Sequence, residues 1–301
     1  MSNTTIKPKK KKQPITKGQI ILNLIFIVLC ATYIIPMILL VSISISSESA
    51  ITQYGYTILP KEVGFDGYKM VFKNPGQLIQ SYKVTIIYSL ASTFLSLIVM
   101  ALYAYPLSRR NYSFRKISTW YVFFTMLFAG GLVPSYIINT RWLHLGNSIW
   151  IYIFPGLVTA WNVIIMRTFF QGLPDGLVEA AKIDGASEFL VFCRIIIPLS
   201  TPVLASLGFM HLIGAWNNWN TSLIYIHDKD LYSLQYLLQR ILREADFIKQ
   251  MAEQGQEVGA EAPIETMRYA MAILAAGPMM VVFPFFQKYF AKGLTIGSVK
   301  G

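Results

Sequence analysis

The chain has 301 residues, of which 54% are hydrophobic and 14% are charged, and its mean hydropathy is +0.48. A soluble domain carries charges on roughly a quarter of its residues, so this composition predicts a protein surrounded by lipid. The net charge of +11 does not indicate nucleic-acid binding, because the basic residues flank long apolar segments and are not gathered on one polar domain.

The sequence lacks the residue patterns that are typical of catalysis or metal binding. Cys30 lies in an apolar segment and Cys193 in a predicted loop, so neither a disulfide nor a thiolate metal site is expected. The histidines, His144, His211 and His227, lack metal-ligand spacing. No phosphate-binding GxxxxGK motif and no HExxH or GxSxG motif occurs. We therefore expect no catalytic residue and no metal or cofactor on this chain, and any ATPase activity must belong to a partner.

Six apolar stretches are long enough to cross a bilayer, whose hydrocarbon core of about 30 Å requires roughly 20 residues of helix. They are residues 19–46, 84–108, 118–138, 148–166, 199–226 and 269–287. None contains Asp, Glu, Lys or Arg. The first is too long and lacks the cleavage site of a secretory signal peptide, so it is expected to remain as a helix. The predicted fold class is an all-α integral membrane protein with six transmembrane helices.

The distribution of basic residues predicts the orientation of these helices. With a cytoplasmic N-terminus, the inside segments hold 16 of the 26 Lys and Arg residues and the outside segments hold 10. This excess predicts that both termini are cytoplasmic. The permease domain then covers residues 18–301, with a basic tail at 1–17, an outer loop at 227–268 and a C-terminal tail at 288–301.

The segment between the fourth and fifth spans, residues 171–198, is predicted to form two helices on the cytoplasmic face. Pro174 and Asp175 favour a helix start, and Gly185 ends that helix. Pro198 and Pro202 mark the return into the membrane. The predicted apolar face of the first helix consists of Val178, Ala181 and Ile183. The second helical pattern runs through Phe189, Phe192, Ile195 and Ile196.

Three short motifs in this segment carry a family resemblance. Glu179-Ala180-Ala181, Asp184-Gly185-Ala186 and Ile195-x-Ile197-Pro198 resemble the EAA loop of prokaryotic ABC importer permeases, with Ile197 where Leu is usual. The resemblance implies a type I importer fold whose first EAA helix docks into a cleft of an ATPase subunit. The coupling residues it implies are Glu179, Ala180, Ala181, Asp184, Gly185, Ala186, Ile195 and Pro198. The alternative is an ordinary amphipathic helix at the membrane interface.

Other segments resemble the sugar-uptake class of these permeases. Trp216-Asn217, the stretch 231–241 and the C-terminal stretch 283–301 are similar to the maltose-permease (MalG) type. The run SLQYLLQRIL together with GAWNNWN resembles the LplC-like branch, which is associated with complex polysaccharide and oligosaccharide uptake. The resemblance implies a bacterial cell-membrane location and a sister permease as heterodimer partner. It also implies an ATPase dimer that binds ATP and Mg, an extracellular solute-binding lipoprotein and an oligosaccharide substrate. The resemblance further implies second-rank ATPase contacts at the C-terminal residues Ser298, Val299, Lys300 and Gly301.

Span five contains a polar and aromatic set in an otherwise apolar helix. Polar groups in lipid are costly, so these side chains are expected to face the bundle interior or a water-filled path, where aromatic rings and amides suit a sugar. The alternatives are an interfacial belt or hydrogen bonds between helices. The candidate substrate-path residues are His211, Trp216, Asn217, Asn218, Trp219 and Asn220.

The last outer loop is predicted to contain an amphipathic helix that either contributes to binding-protein docking or covers the bundle. Its apolar positions are Leu234, Leu237, Leu238, Ile241, Ala245 and Ile248. Residues 252–262, rich in Glu, Gln and Gly, are predicted to form a flexible linker.

An ion-coupled secondary transporter is the alternative function. Proton-coupled carriers bury carboxylates or histidines in their spans, and here only His211 is available. Six spans without an internal repeat also fit half of a transporter better than a whole one.

Overall fold

The structure is a computed structural model that describes residues 16–73, 75–254 and 263–296. Its helices are α1 (Lys17–Ser44), α2 (Glu48–Tyr54), α3 (Asp66–Val71), α4 (Pro75–Ser108), α5 (Arg115–Leu127), α6 (Leu132–Ile137), α7 (Ala160–Gln171), α8 (Asp175–Ile183), α9 (Glu188–Val191), α10 (Ile197–Leu199), α11 (Thr201–Trp216), α12 (Asn220–Tyr225), α13 (Leu234–Glu253) and α14 (Ile264–Ile296). Shorter π or 3₁₀ turns lie at Ile138–Trp142, Ile149–Tyr152, Phe154–Gly156, Phe192–Ile196 and Lys229–Leu231. The part of the chain described contains no β-strand, which agrees with the all-α prediction.

The apolar helices agree with six spans, although three of them are bent. Lys17–Ser44, Pro75–Ser108 and Ile264–Gln287 are each long and apolar enough to cross a membrane alone. Three further spans are bent helix pairs: Arg115–Leu127 with Leu132–Trp142 at 112°, Ile149–Gly156 with Ala160–Gln171 at 50°, and Glu188–Leu199 with Thr201–Trp216 at 77°. Sequence hydropathy does not show these bends, because a short break leaves the apolar composition unchanged.

The ends of several spans differ from the predicted ones. The second span begins at Pro75 instead of residue 84, and the sixth begins at Ile264 instead of residue 269. The fifth helix ends at Trp216 and not near residue 226. Its polar residues explain this, since the Asn218 side chain accepts a hydrogen bond from the backbone N–H of Thr221 at 3.1 Å and so competes with helix continuation.

Helix α4 lies at the centre of the bundle, packed against α7 and α11. One face of α4 carries small residues, none more than 6% exposed: Ser81, Thr85, Ser89, Ser92, Ser96, Ala101, Ala104 and Ser108. We call this the small-residue face. Small side chains let helix backbones approach closely, and one of the hydroxyls, Ser96 Oγ, donates to the Leu157 carbonyl at 2.7 Å. This face was not predicted, although most of its residues lie three or four positions apart in the sequence.

Three tyrosines extend from α4 to three different elements. The hydroxyl of Tyr82 donates to the Leu274 carbonyl of α14 at 2.7 Å, and that of Tyr88 donates to the Ala215 carbonyl of α11 at 2.9 Å. The third, Tyr105, reaches the segment between α7 and α11 and belongs to the candidate site below.

The outer-loop helix α13 confirms the predicted amphipathic pattern. Leu234, Leu237, Leu238 and Ala245 are at most 8% exposed, and they pack in one cluster with Met267 of α14. The apolar face therefore covers this end of the bundle, which leaves only the polar face for other contacts. The predicted linker starts later than residue 252, since α13 continues through Glu253, and residues 255–262 lie outside the described part of the chain.

Two short helices hold the first turn of α14. The Glu48 carboxylate accepts hydrogen bonds from the backbone N–H groups of Glu265 and Thr266 at 3.1 and 2.9 Å, and from the Thr266 hydroxyl at 2.7 Å. A carboxylate at a helix N-terminus satisfies free N–H groups and opposes the helix dipole. Gly67 of α3 lies so close to α14 that a Cβ atom there would be 2.5 Å from the Thr266 carbonyl carbon and 2.6 Å from the Met267 nitrogen.

Gly67→Ala is therefore expected to destabilise the protein by about 1–3 kcal/mol, because the added methyl group meets backbone atoms that cannot move aside locally. The measurement is thermal unfolding of the purified protein in detergent. Gly76→Ala is the matched control, since nothing lies within 4 Å of a Cβ at that position. Equal unfolding temperatures for the two variants would contradict the close packing of α3 on α14.

Candidate functional site

The segment from residue 171 to 199, called the elbow below, leaves the bundle between α7 and α11. Pro174 is the N-cap of α8 and Asp175 lies in its first turn, where a negative charge is favourable. Val178, 6% exposed, packs into the core cluster formed by α4 and α7, and Ala181 packs against the same cluster. The helix start predicted from the sequence is confirmed.

The turn at Gly185 has the geometry that only glycine adopts without strain. Its φ angle is +81°, its N–H donates to the Lys182 carbonyl at 3.0 Å, and the N–H of Ala186 donates to the Ala181 carbonyl at 2.9 Å. These two bonds form a Schellman motif, which ends a helix with a left-handed residue. The predicted break at Gly185 is confirmed, and Ala186 packs against the core cluster beyond it.

The second half of the elbow returns to the bundle. Ser187 caps α9, its hydroxyl accepting from the Leu190 N–H at 3.3 Å. Ile196 is fully buried and Ile195 is half-buried against the same core cluster. Pro198 is exposed, and its carbonyl accepts a hydrogen bond from the Thr201 hydroxyl at 2.7 Å, next to the 77° bend into α11.

A polar link ties the elbow to the end of α4. The Tyr105 hydroxyl donates to Glu188 Oε2 at 2.6 Å, and Glu188 Oε1 forms an ion pair with Lys182 Nζ of α8. Around this link, the Phe192 ring lies 5.1 Å from the Tyr105 ring, and the Arg109 guanidinium carbon lies 4.7 Å from the centroid of the Tyr105 ring. Glu188 thus joins α8, α9 and α4 through one carboxylate. Sequence reasoning missed this link, because its partners are 83 residues apart and no local pattern pairs them.

The opposite face of α8 is exposed. Glu179, Ala180 and Asp184 all lie on the surface, and the Glu179 carboxylate makes no hydrogen bond or ion pair with any residue that the structure describes. Ile183 is 87% exposed and Phe189 of α9 is 68% exposed. A free carboxylate beside two exposed apolar side chains is typical of a surface that contacts another protein.

The sequence placed Ile183 on the buried face of α8, and this prediction was wrong. A helix turns about 100° per residue, so Ile183 lies about 140° from Val178 around the axis, whereas Ala181 lies about 60° from it. Only Val178 and Ala181 can face the bundle together.

Two of the predicted substrate-path residues of span five form hydrogen bonds with neighbouring helices. Trp216 is 2% exposed, and its indole N–H donates to the Ala275 carbonyl of α14 at 2.8 Å. The Asn217 amide donates to the Ile213 carbonyl at 3.0 Å and accepts from Gln235 Nε2 of α13 at 3.2 Å. For Trp216 and Asn217, the structure therefore shows the helix-to-helix hydrogen bonding that the sequence left open as an alternative.

The remaining candidates of this set lie on either side of Trp216. His211, half-buried, has Nδ1 at 3.4 Å from Ser96 Oγ on the small-residue face of α4. The Asn218 side chain caps the turn before α12. The guanidinium carbon of Arg243 lies 5.6 Å from the centroid of the Trp219 ring, and Asn220 is exposed. The C-terminal candidates Ser298, Val299, Lys300 and Gly301 lie outside the described residues.

Comparison with known proteins shows which class of protein has this fold and this elbow. A family described as the inner membrane component of binding-protein-dependent transport systems matches residues 98–296, a range that includes the whole elbow. The chain belongs to this family. Its fold also matches a solved structure of a bacterial ABC transporter involved in the import of the acidic polysaccharide alginate, with a TM-score of 0.76 and 27% identity over 93% of this chain and 100% of that one.

Among individual proteins, the chain is similar to two from Bacillus subtilis. It is 36% identical to protein LplC over 271 residues, which cover 90% of each chain. It is 33% identical over 279 residues to the polygalacturonan/rhamnogalacturonan transport system permease protein YtcP, covering 92% of this chain and 95% of that protein. The resemblance to ABC importer permeases is confirmed, and the chain is a multi-pass membrane permease component of that class. This membership excludes the ion-coupled secondary transporter considered from the sequence.

Gly185→Ala tests the turn of the elbow. The methyl group meets open space, so the expected cost of about 1–2 kcal/mol comes from the left-handed backbone alone. Faster hydrogen exchange of the amides in residues 182–187 would measure this loss. Gly176→Ala, in α8 and also facing open space, should not increase exchange because its φ angle is not positive. If both variants exchange alike, the left-handed turn does not determine the stability of the elbow.

Tyr105→Phe and Glu188→Gln test the link between the elbow and α4. Tyr105→Phe removes the donor of a charge-assisted hydrogen bond, and Glu188→Gln removes the charge of its acceptor together with the ion pair to Lys182, so each is expected to destabilise the elbow by about 1–3 kcal/mol. The double variant should cost less than the sum of the two, since both single changes weaken the same hydrogen bond. The measurement is hydrogen exchange of the α9 amides in the wild type, the two single variants and the double variant, which together form a double-mutant cycle. Strictly additive effects would show that the bond contributes nothing.

Proposed function

We propose that this chain is the permease subunit through which an ATPase drives the import of oligosaccharides derived from polysaccharide. The observation that carries this proposal is the elbow, which presents Glu179, Ile183 and Phe189 outward while its inner face is fixed to the core. The names of similar proteins support the substrate class, since they include the polygalacturonan/rhamnogalacturonan permease and an arabinooligosaccharide permease, both from Bacillus subtilis.

In this proposal the exposed face of α8 docks into a surface cleft of an ABC ATPase subunit. Glu179 supplies a charge for a basic partner, and Ala180 lets the partner surface approach closely. Closure of the ATPase dimer, which binds ATP and Mg, pushes the elbow. The Glu188–Tyr105 bond passes this displacement to α4, and the bundle changes between inward- and outward-open arrangements.

The proposed orientation places the elbow in the cytoplasm of a bacterium, with both termini on the same side. An open cavity with a volume of about 800 Å³ lies beside the elbow. It is lined by Arg109, Arg110 and Arg115 together with Glu179 and Lys182 of the elbow. Basic residues concentrate on the cytoplasmic side of membrane proteins, so this end of the bundle is the one expected to face the ATPase.

The remaining partners follow from the family. A second, homologous permease subunit completes the translocation path, and an extracellular solute-binding lipoprotein delivers the sugar at the end where α13 covers the bundle. In the substrate path we assign the solvent-accessible amides of Asn217 and Asn220 to sugar hydroxyls. Trp216 instead holds α11 against α14 through its bond to Ala275.

Charge reversal at the elbow tests ATPase docking. Glu179→Lys is expected to weaken co-purification with the cognate ATPase by about tenfold or more, because a central charged contact becomes repulsive. Asp230→Lys, an exposed carboxylate at the α13 end, is the control and should leave co-purification unchanged.

The same complex in proteoliposomes tests import. With the binding protein present, uptake of an arabinan- or pectin-derived oligosaccharide should require ATP and should be lost in Glu179→Lys. Uptake driven by a proton or sodium gradient without ATP would contradict the proposed function. Failure of the wild-type chain to co-purify with any ATPase would contradict it independently.

A further inference from the structure

A second open cavity at the elbow end of the bundle is lined by positive charges. It lies among the loop that follows α4, the start of α5 and the middle of α7, and has a volume of about 580 Å³. Four of its lining residues are basic, Arg110, Arg115, Lys116 and Arg167, and none of its lining residues is acidic. The neighbouring cavity of the elbow shares Arg110 and Arg115 with it, but its lining also includes Asp175, Glu179 and Glu188.

Within the described part of the chain, none of these four basic side chains forms an ion pair. Two of them have neutral hydrogen-bond partners: Arg167 Nε donates to the Leu107 carbonyl at 3.2 Å, and the side-chain oxygen of Gln171 accepts from Arg115 Nη2 at 2.8 Å. Like charges around one cavity repel each other, so an anion bound there would stabilise the fold.

The position of Arg115 and Lys116 adds to this repulsion. Both lie in the first turn of α5, which contains no acidic residue. The positive end of the helix dipole disfavours cations at this position, and an anion between the two side chains would offset that cost.

An exposed apolar surface continues directly from the charged cavity along α5. Trp120 lines the cavity and is 73% exposed. Ile117, Tyr121, Phe124 and Leu127 of the same helix are each at least 55% exposed. A charged cavity above an apolar helix face, with a tryptophan at the boundary, matches a phospholipid, whose phosphate and acyl chains need these two environments side by side.

We propose that this cavity binds the headgroup phosphate of an anionic phospholipid, with Arg110, Arg115, Lys116 and Arg167 as its ligands and the α5 face as the seat of its acyl chains. A carboxylate-bearing protein partner would use the charges but not the apolar face. This inference does not depend on which solute is transported or on which ATPase is bound.

Native mass spectrometry of the purified permease complex, titrated with phosphatidylglycerol or phosphatidylcholine, tests the proposal. The wild type should retain phosphatidylglycerol in preference to phosphatidylcholine. The triple variant Arg110→Gln/Arg115→Gln/Lys116→Gln should bind phosphatidylglycerol about a hundredfold more weakly, on the order of fivefold for each basic residue. The control Lys61→Gln/Lys73→Gln/Lys83→Gln removes three exposed charges elsewhere and should change nothing.

Two further measurements keep the result interpretable if the triple variant folds poorly. The charge-preserving variant Arg110→Lys/Arg115→Lys/Lys116→Arg should retain the lipid preference, and in the wild type phosphatidylglycerol alone should slow hydrogen exchange in residues 109–120. Unchanged lipid retention in the triple variant would overturn the proposal. Displacement of the lipid by an equal concentration of inorganic phosphate would also overturn it. So would a triple variant that retains phosphatidylglycerol and loses only its association with the ATPase.

Discussion

The small-residue face of α4 is the constraint on which the rest of the bundle depends. Its side chains, none larger than threonine, let neighbouring helices approach α4 closely, and the hydroxyls of Ser89, Ser92, Ser96 and Ser108 donate to backbone carbonyls. In a membrane, packing of this kind replaces the hydrophobic effect as the force between helices, because lipid is as apolar as a leucine side chain. Because α4 is held on several sides in this way, we expect it to move as a rigid body.

Hydrogen bonds at its two ends connect α4 to opposite ends of the bundle. Near its start, Tyr82 bonds to α14, and the hydroxyl of Thr85 accepts from the first residue of α13 at 2.8 Å. Near its end, Tyr105 bonds to Glu188 of the elbow. The described spans carry few ionisable groups between these ends, so in the proposed mechanism the energy for transport enters through the elbow and leaves at the opposite surface.

Local features could be predicted from the sequence, and long-range ones could not. The turn at Gly185 and the amphipathic helix α13 were predicted correctly, because each depends on residues within one or two helical turns. Ile183 was assigned to the wrong face since the prediction used spacing without the angle around the axis. The Tyr105–Glu188 bond joins residues whose separation is set by the packing of α4 on α7, and no neighbouring residue signals it. The bends within the spans fall at residues 128–131, 157–159 and 200, and a hydropathy average over a whole span does not reveal breaks of one to four residues.

We infer that the elbow and α4 move as one body when the ATPase closes. Spin-label distances in the reconstituted complex measure this motion, with Cys30 replaced by serine and labels at the exposed Cys193 of the elbow and at Leu102→Cys on α4. The distance between these two labels should stay the same with and without bound ATP, while the distance from Cys193 to a label at Tyr33→Cys on the peripheral helix α1 should change. If the distance between Cys193 and Leu102→Cys changes on ATP binding, the elbow moves independently of α4 and the two do not form one body.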